Sequence, residues 1–362
     1  MAEKEGTRIS LKKPTFHRKT PSSPELIEIG IIGCTPGYSH ISEIYGPQIN
    51  PVSDKDTTFI RATGMRMTMV WDADEKIAGN FAGKYDVKPV KSYTDMIGKV
   101  DAVMLTDIAT VPYFYQLSKP YLEAGIPLFL NRPFAYSRKK LYRLMELIKK
   151  TGTPVFYGDE FENVKETSTV RKMTADLEPL MAVDATNSMS DYPSHGIHGI
   201  NWILACIGGG VKRVSYQTPD WKQPNGMVIL EYAPRVEGGK VFYAALQEIL
   251  GGLTSASIKV YGGQGKWYGD DLTWGANTWE RYHHVFGPVI LNFQRMIEEG
   301  RMVQTLENLR HRTEIFLAGF YSHLEKKGAP VALEEVPIDW EAPSNLWDRQ
   351  AWMSWAKTID NY

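Results

Sequence analysis

Short apolar runs alternate with longer amphipathic stretches through the first half of the chain. Residues 26–33, 65–71, 100–105, 127–130 and 154–157 each have the length of one buried strand; 87–90 makes a shorter one whose Pro89 suits an edge. Helical patterns start at Ile41 and span 75–85, 93–99, 113–124 and 137–151. The last two close on Gly125 and Gly152, which accept the left-handed backbone of a helix end. Residues 45–63, with Gly46-Pro47 and Asn50-Pro51, read as an insertion in the first crossover. Strand and helix in alternation predict a doubly wound parallel sheet. Ligands of such sheets lie just beyond the carboxyl ends of the strands. Thr106-Asp107, Asn131-Arg132 and Asp159-Glu160 all follow strands, so the pattern predicts one crevice that gathers them. Read alone, Arg132 fits a surface salt bridge as well as a site. At a buried strand end it needs partners, because an unpaired buried charge is costly.

The first strand runs into Gly33-Cys34-Thr35-Pro36-Gly37-Tyr38-Ser39-His40. Strand, glycine turn and helix form the layout that receives a dinucleotide pyrophosphate, with turn N–H groups and the helix N-terminus facing the phosphates. The turn departs from G-x-G-x-x-G. Thr35 stands at the second glycine, the third is displaced to Gly37 or lost, and Pro36 removes a donor. The second strand ends in Asp72-Ala73-Asp74. An acid there accepts hydrogen bonds from an adenosine ribose and repels a 2′-phosphate, which favours NAD over NADP. The insertion stretches the usual spacing of about 20 residues. Asp74 also reads as the N-cap of the helix over 75–85. The expected cofactor-binding residues are Gly33, Thr35, Pro36, Gly37, Asp72, Thr106, Asp107, Asn131 and Arg132.

Composition narrows the class. A chain of 362 residues suggests two domains, and 43% hydrophobic with 23% charged residues is ordinary for a soluble protein. A formal net charge of −1 and no basic stripe argue against nucleic acid. The two cysteines, Cys34 and Cys206, form neither a disulfide framework nor a zinc pattern and fit a reducing compartment, so a cytoplasmic location is expected. No run approaches the roughly 18 apolar residues of a membrane span. Residues 1–24 read as a loose polar arm, 25–158 as a dinucleotide-binding domain, 159–335 as a substrate and oligomerisation domain, and 336–362 as a tail. Trp340, Trp347, Trp352 and Trp355 require that tail to dock, preferentially on its own N-terminal domain.

Ile29-Gly30-Ile31-Ile32-Gly33, Asp101-Ala102-Val103 and Leu122-Glu123-Ala124-Gly125 lead in order to Asn131-Arg132-Pro133-Phe134-Ala135; His195-Gly196-Ile197-His198 then precedes Asn201-Trp202-Ile203. From about Glu25 to Leu333 this order resembles the glucose–fructose oxidoreductase and inositol dehydrogenase (Gfo/Idh/MocA) family. The resemblance implies an N-terminal Rossmann domain and a C-terminal α+β domain with a large, mostly antiparallel sheet. It also implies hydride transfer between NAD(P) and a sugar, sugar acid or cyclitol, with assembly into dimers or tetramers.

The chain departs from that family in its reactive residues. Family members carry Glu-Lys-Pro where this chain has Asn131-Arg132-Pro133. Arginine stays charged and clamps oxyanions well, but it relays protons poorly. The family's Asp-x-x-x-His becomes Ser194 and His198, with His195 beside them. The resemblance implies His198 as acid/base, since a histidine near its ordinary pKa of about 6.5 can accept a hydroxyl proton. Alternatively His198 is a core or capping histidine. Arg132 joins it as the second catalytic residue, as an electrostatic clamp. Asp159, Glu160, Tyr192, Ser194 and His195 are expected to bind substrate. Tyr282-His283-His284 lacks a carboxylate at ligand spacing, and no metal is expected. The dense aromatics Trp267, Tyr268, Trp274, Trp279 and Tyr282 suit a sugar surface or an interface equally. Two other functions stay open: a redox-neutral elimination or epimerisation with recycled NAD, and a catalytically inactive sugar-binding or partner protein.

Overall fold

A computed structural model of the chain describes residues 26–54, 56, 60–187, 192–221, 225–249, 255–273, 278–343 and 350–358. The apolar runs become parallel strands covered on both faces. In chain order the first domain contains β1 (Ile27–Ile32), a π-helical turn (Ile41–Tyr45) continuing into α1 (Gly46–Ile49), β2 (Met65–Trp71), α2 (Glu75–Tyr85), β3 (Lys88–Pro89), β4 (Ala102–Leu105), α3 (Phe114–Glu123), β5 (Leu128–Leu130), α4 (Arg138–Thr151) and β6 (Val155–Tyr157). The six strands run in the order β3-β2-β1-β4-β5-β6, a doubly wound Rossmann sheet with the proline-bearing β3 at its edge. Part of the expected insertion is thus helical. Local side chains set the boundaries: Asp74 caps α2 through Lys76 N and Ile77 N, and Ser137 caps α4 through Lys140 N. Gly152 ends α4 at φ +67°.

The second domain contains α5 (Lys165–Thr174), β7 (Leu180–Asn187), α6 (Ile197–Ile207), β8 (Val211–Gln217), β9 (Met227–Tyr232), β10 (Phe242–Glu248), β11 (Ser255–Gly262), β12 (Trp267–Thr273), α7 (Thr278–Glu299), α8 (Leu306–Lys326) and β13 (Val331–Ala332). Its seven-stranded sheet, β12-β11-β7-β10-β9-β8-β13, is antiparallel except between β7 and β10. There α6, β8 and β9 intervene and bring the chain back in the same direction. A tail helix, α9 (Gln350–Ala356), follows.

Register places the site. Trp71 of β2 aligns with Ile32 of β1, Ile32 with Leu105 of β4, Leu105 with Leu130 of β5, and Leu130 with Tyr157 of β6. The residues one step further therefore form a row along the sheet's carboxyl edge: Asp72, Gly33, Thr106, Asn131 and Gly158. Beneath the edge, Phe129 is fully buried, with ring centroids 5.3 Å from Tyr45, 5.4 Å from Phe156 and 5.3 Å from Phe293 of α7. It joins the two domains. Gly158 has no room for a side chain, because a Cβ would stand 2.1 Å from the Phe129 ring. Polar contacts add to this seam: the Tyr142 hydroxyl donates to Glu314, and Lys139 N donates to Ile338 O at 3.0 Å.

Removing the Phe129 ring leaves a cavity shared by both domains. Phe129→Ala should cost about 3–5 kcal/mol in chemical denaturation. A loss below about 1 kcal/mol would contradict this packing.

Candidate active site

The row of strand ends meets the start of α6 in a buried hydrogen-bonded chain. Arg132 Nε donates to His198 Nε2 at 2.7 Å. An arginine nitrogen can only donate, so Nε2 is the accepting nitrogen. The proton of the neutral ring therefore sits on Nδ1, which donates to Asp159 Oδ2 at 2.8 Å. Asn201, one turn along α6, donates to the same oxygen at 2.8 Å and to the Tyr157 hydroxyl at 3.1 Å. Phe161 N and Glu162 N donate to Asp159 Oδ1 at 3.1 and 3.4 Å. Asn131 Oδ1 accepts from Arg132 N at 2.9 Å and Nη1 at 3.4 Å, while its amide donates to Thr106 O at 2.6 Å. Thr106, Asn131, Asp159, Glu160 and His198 are fully buried, and Arg132 is 1% exposed.

Glu160 has a different setting. Oε1 lies 3.3 Å from His198 Nε2 in a geometry that makes no hydrogen bond, and neither oxygen has a hydrogen-bond partner among the described residues. Burial pushes its pKa up to about 8; Arg132 opposes this and the Asp159 charge adds to it. Burial raises Asp159 as well, but Asp159 accepts four hydrogen bonds where Glu160 accepts none. The single proton near neutral pH accordingly belongs on Glu160, leaving the Asp159 carboxylate to balance Arg132. Burial first, then the Arg132 guanidinium, holds His198 well below the usual histidine range. His195 and His40 are lowered for the same two reasons. The His195 ring lies 5.6 Å from that of His198, because the π-helical turn Tyr192–Gly196 precedes α6 and brings it onto the same side.

His40 did not stand out in the sequence, where only its place at the end of the glycine turn marks it. Its Nδ1 is buried with no partner among the described residues, and its ring meets Phe286 edge-on at 5.1 Å. Tyr192 belongs elsewhere. It is fully buried, stacks on Tyr216 and Phe316 at 4.3 and 5.1 Å, and donates its hydroxyl to Phe316 O at 2.9 Å. That places it in the core under α8 and corrects the substrate role expected for it. The Ser194 side chain, Trp274, Trp279, Tyr282, His283, His284 and Trp347 fall outside the described residues or side chains. Asp159, Glu160 and His198 each offer a ligand atom within 4.8 Å of the others, but Arg132 donates to the nitrogen a metal would take and supplies the cation itself. A cavity of about 630 Å³ lies elsewhere, lined by Arg171, Arg235, His311 and Arg312 and by none of the expected site residues.

At the other end of the row, Gly33 adopts φ +79° and Gly37 φ +76°. Pro36 and Gly37 are exposed, and a Cβ on Gly37 would meet nothing within 4 Å. Asp72 Oδ2 accepts from Cys34 N at 2.8 Å, and Asp107 Oδ2 accepts from Thr35 N at 3.0 Å. The Thr35 hydroxyl is buried without a partner among the described residues.

Residues 27–159 match the family model for the Gfo/Idh/MocA oxidoreductases, described as an oxidoreductase family with an NAD-binding Rossmann fold. The match spans the N-terminal domain, from β1 to the residue after Gly158. Solved structures extend the likeness of fold to both domains. Myo-inositol 2-dehydrogenase from Lactobacillus plantarum superposes with a TM-score of 0.67 at 14% identity, covering 85% of this chain and 99% of its own. Myo-inositol dehydrogenase from Lactobacillus casei, solved with NAD(H) and myo-inositol, gives 0.67 at 12% identity over 85% and 96%. Scyllo-inositol dehydrogenase from the same organism, solved without ligand, gives 0.68 at 14% over 86% and 99%. No curated protein sequence matches the chain.

NAD is the cofactor of this family, and the residues present fit it. Gly33 has the backbone the turn needs, Asp72 stands at the end of β2, and the unpartnered Thr35 hydroxyl lies in the turn. In the conformation described, two turn N–H groups are already held by Asp72 and Asp107.

The crevice has a signature in its stability. A folded pKa of about 8 for Glu160, against an ordinary 4.5, gives stability that is complete below pH 4.5 and is lost as pH rises through 8. The three depressed histidines act only on the acid side, where stability falls as pH drops below 6.5. Denaturation midpoints should therefore fall between pH 6.5 and 8, and Glu160→Gln should flatten that fall. An undiminished fall in Glu160→Gln would show that Glu160 is already ionised in the folded protein.

Proposed function

We propose that this protein transfers a hydride between NAD(P), with NAD preferred, and a hydroxyl or ketone of a sugar, sugar acid or cyclitol. The observation that carries this reading is the buried Arg132–His198–Asp159 chain at the carboxyl ends of the Rossmann strands, with Glu160 beside it. The three similar structures named above are dehydrogenases of inositols, one solved with its polyol bound, which supports a polyol-like substrate.

Gly33, Thr35, Gly37, Asp72 and the Thr106-Asp107 strand end would hold the dinucleotide, and bound NAD would supply the hydride acceptor. The remaining work falls to the crevice. His198 Nε2 carries the lone pair that takes the hydroxyl proton, and Asp159 holds the ring in that tautomer and stabilises the imidazolium that forms. Arg132 covers that lone pair until a substrate oxygen competes for the guanidinium. It then stabilises the developing alkoxide without giving up a proton. The Glu160 carboxyl, protonated and uncharged near neutral pH, donates a hydrogen bond to a substrate hydroxyl. His195 lies within reach of the same space. The outer face of the second sheet exposes Met227, Tyr243 and Trp267, which supports assembly into a homo-oligomer.

The reading is tested with inositols and aldoses as a substrate panel, following NADH formation. His198→Ala should lose about 100-fold or more in turnover while NADH affinity stays within about threefold. Unchanged turnover would remove His198 from the mechanism. Arg132→Lys should lower turnover, and a rise would contradict the clamp. A second reading, a sugar-binding protein without turnover, is favoured by the carboxylates that hold the turn N–H groups. It predicts normal polyol binding with no NADH binding at millimolar concentration.

A further inference from the structure

The tail helix α9 does not end on a remote surface. It carries Trp352 and Trp355 onto the carboxyl edge of the Rossmann sheet. Trp352 is 2% exposed; its ring lies 5.5 Å from Trp71 at 87° and 6.2 Å from Tyr113 at 14°, a stacked arrangement. Trp355 meets Trp71 at 5.4 Å, Tyr93 at 5.7 Å and Tyr113 at 5.6 Å. A Cβ on Gly33 would stand 3.4 Å from Trp352 Cζ2.

These contacts identify the place. Gly33 follows β1, Trp71 ends β2, Tyr93 follows β3 and Tyr113 follows β4. In an open α/β sheet with this strand order, the glycine turn after the first strand and the end of the second bound the adenosine half of a dinucleotide. An indole stacked on Tyr113 presents there the flat π surface that an adenine ring would present.

We propose that α9 is an internal occupant of the adenosine half-site, so that α9 and the dinucleotide compete for one place and NAD binds only when α9 has left it. This rests on the NAD reading above. Three observations make α9 a displaceable occupant. It has seven residues, too few to hold helical form without its packing. The Trp352 Nε1–H is buried with no hydrogen-bond partner among the described residues, so the site receives this indole less completely than a ligand whose polar edge is satisfied. The turn N–H groups of Cys34 and Thr35 donate to Asp72 and Asp107 while α9 is in place, so a pyrophosphate reaching the turn must displace those contacts. Release of α9 would uncover Gly33 and let a ribose reach Asp72.

The test uses the full chain and NADH as the probe, with affinity read by titration and by hydrogen exchange. Trp352→Ala should bind NADH about tenfold more tightly than the wild type, as expected where the binding-competent state is under about a tenth populated. In the unaltered wild type, adding NADH should reduce the amide protection of residues 350–356; this reading does not depend on how the variant folds. Equal or weaker binding by Trp352→Ala, or protection of α9 that is unchanged or increased by NADH, overturns the competition and leaves the oxidoreductase reading standing. Absence of NADH and NADPH binding in both proteins removes the oxidoreductase reading, and this one with it.

Discussion

A guanidinium buried between two domains is the constraint on which the centre of this protein depends. Arg132 is almost fully enclosed, and an isolated ion in that position would cost several kcal/mol. The structure offsets the cost on three sides. The His198 lone pair takes Nε–H, the Asn131 amide oxygen takes Nη1–H and the Arg132 N–H, and Asp159 balances the charge two hydrogen bonds away, through His198. A lysine could not make these contacts, because an ammonium is a single point charge on a flexible stem. The fork geometry of arginine ties the end of β5 to α6 of the second domain.

Much else follows from that charge. One cation beside two carboxylates leaves one negative charge too many, and the proton falls to Glu160, whose oxygens accept no hydrogen bond among the described residues. The same cation, added to burial, keeps His40, His195 and His198 neutral. The centre is therefore close to electrically neutral at rest while holding an accepting nitrogen and a protonated carboxyl within 3.3 Å of each other. That is a suitable resting state for a reaction that releases one proton for each hydride moved.

The strand-end crevice was legible because periodicity and length locate strand ends, and parallel register then aligns them. Thr106, Asn131, Arg132 and Asp159 could be gathered from spacing alone. Spacing does not say where a side chain turns. Tyr192 sits three residues before His195, yet the π-helical turn sends it beneath α8. Asp107 follows a strand as expected, but it turns back onto Thr35 N, a contact across 72 positions that no local pattern encodes. His40 was hidden for the same reason, since its ring meets Phe286 of α7 and the charge that acts on it comes from Arg132, both distant in sequence. The tail's four tryptophans signalled docking; that Trp352 would lie over Gly33 depends on tertiary packing.

Arg132 holds His198 as a neutral ring with its proton on Nδ1. Nitrogen-15 NMR of histidine-labelled protein, with His198 assigned by its substitution, reads both ring nitrogens directly. A protonated Nδ1 and an unprotonated Nε2 are expected at neutral pH, persisting below pH 6.5. An imidazolium forming near pH 6.5, or a proton resting on Nε2, would contradict it.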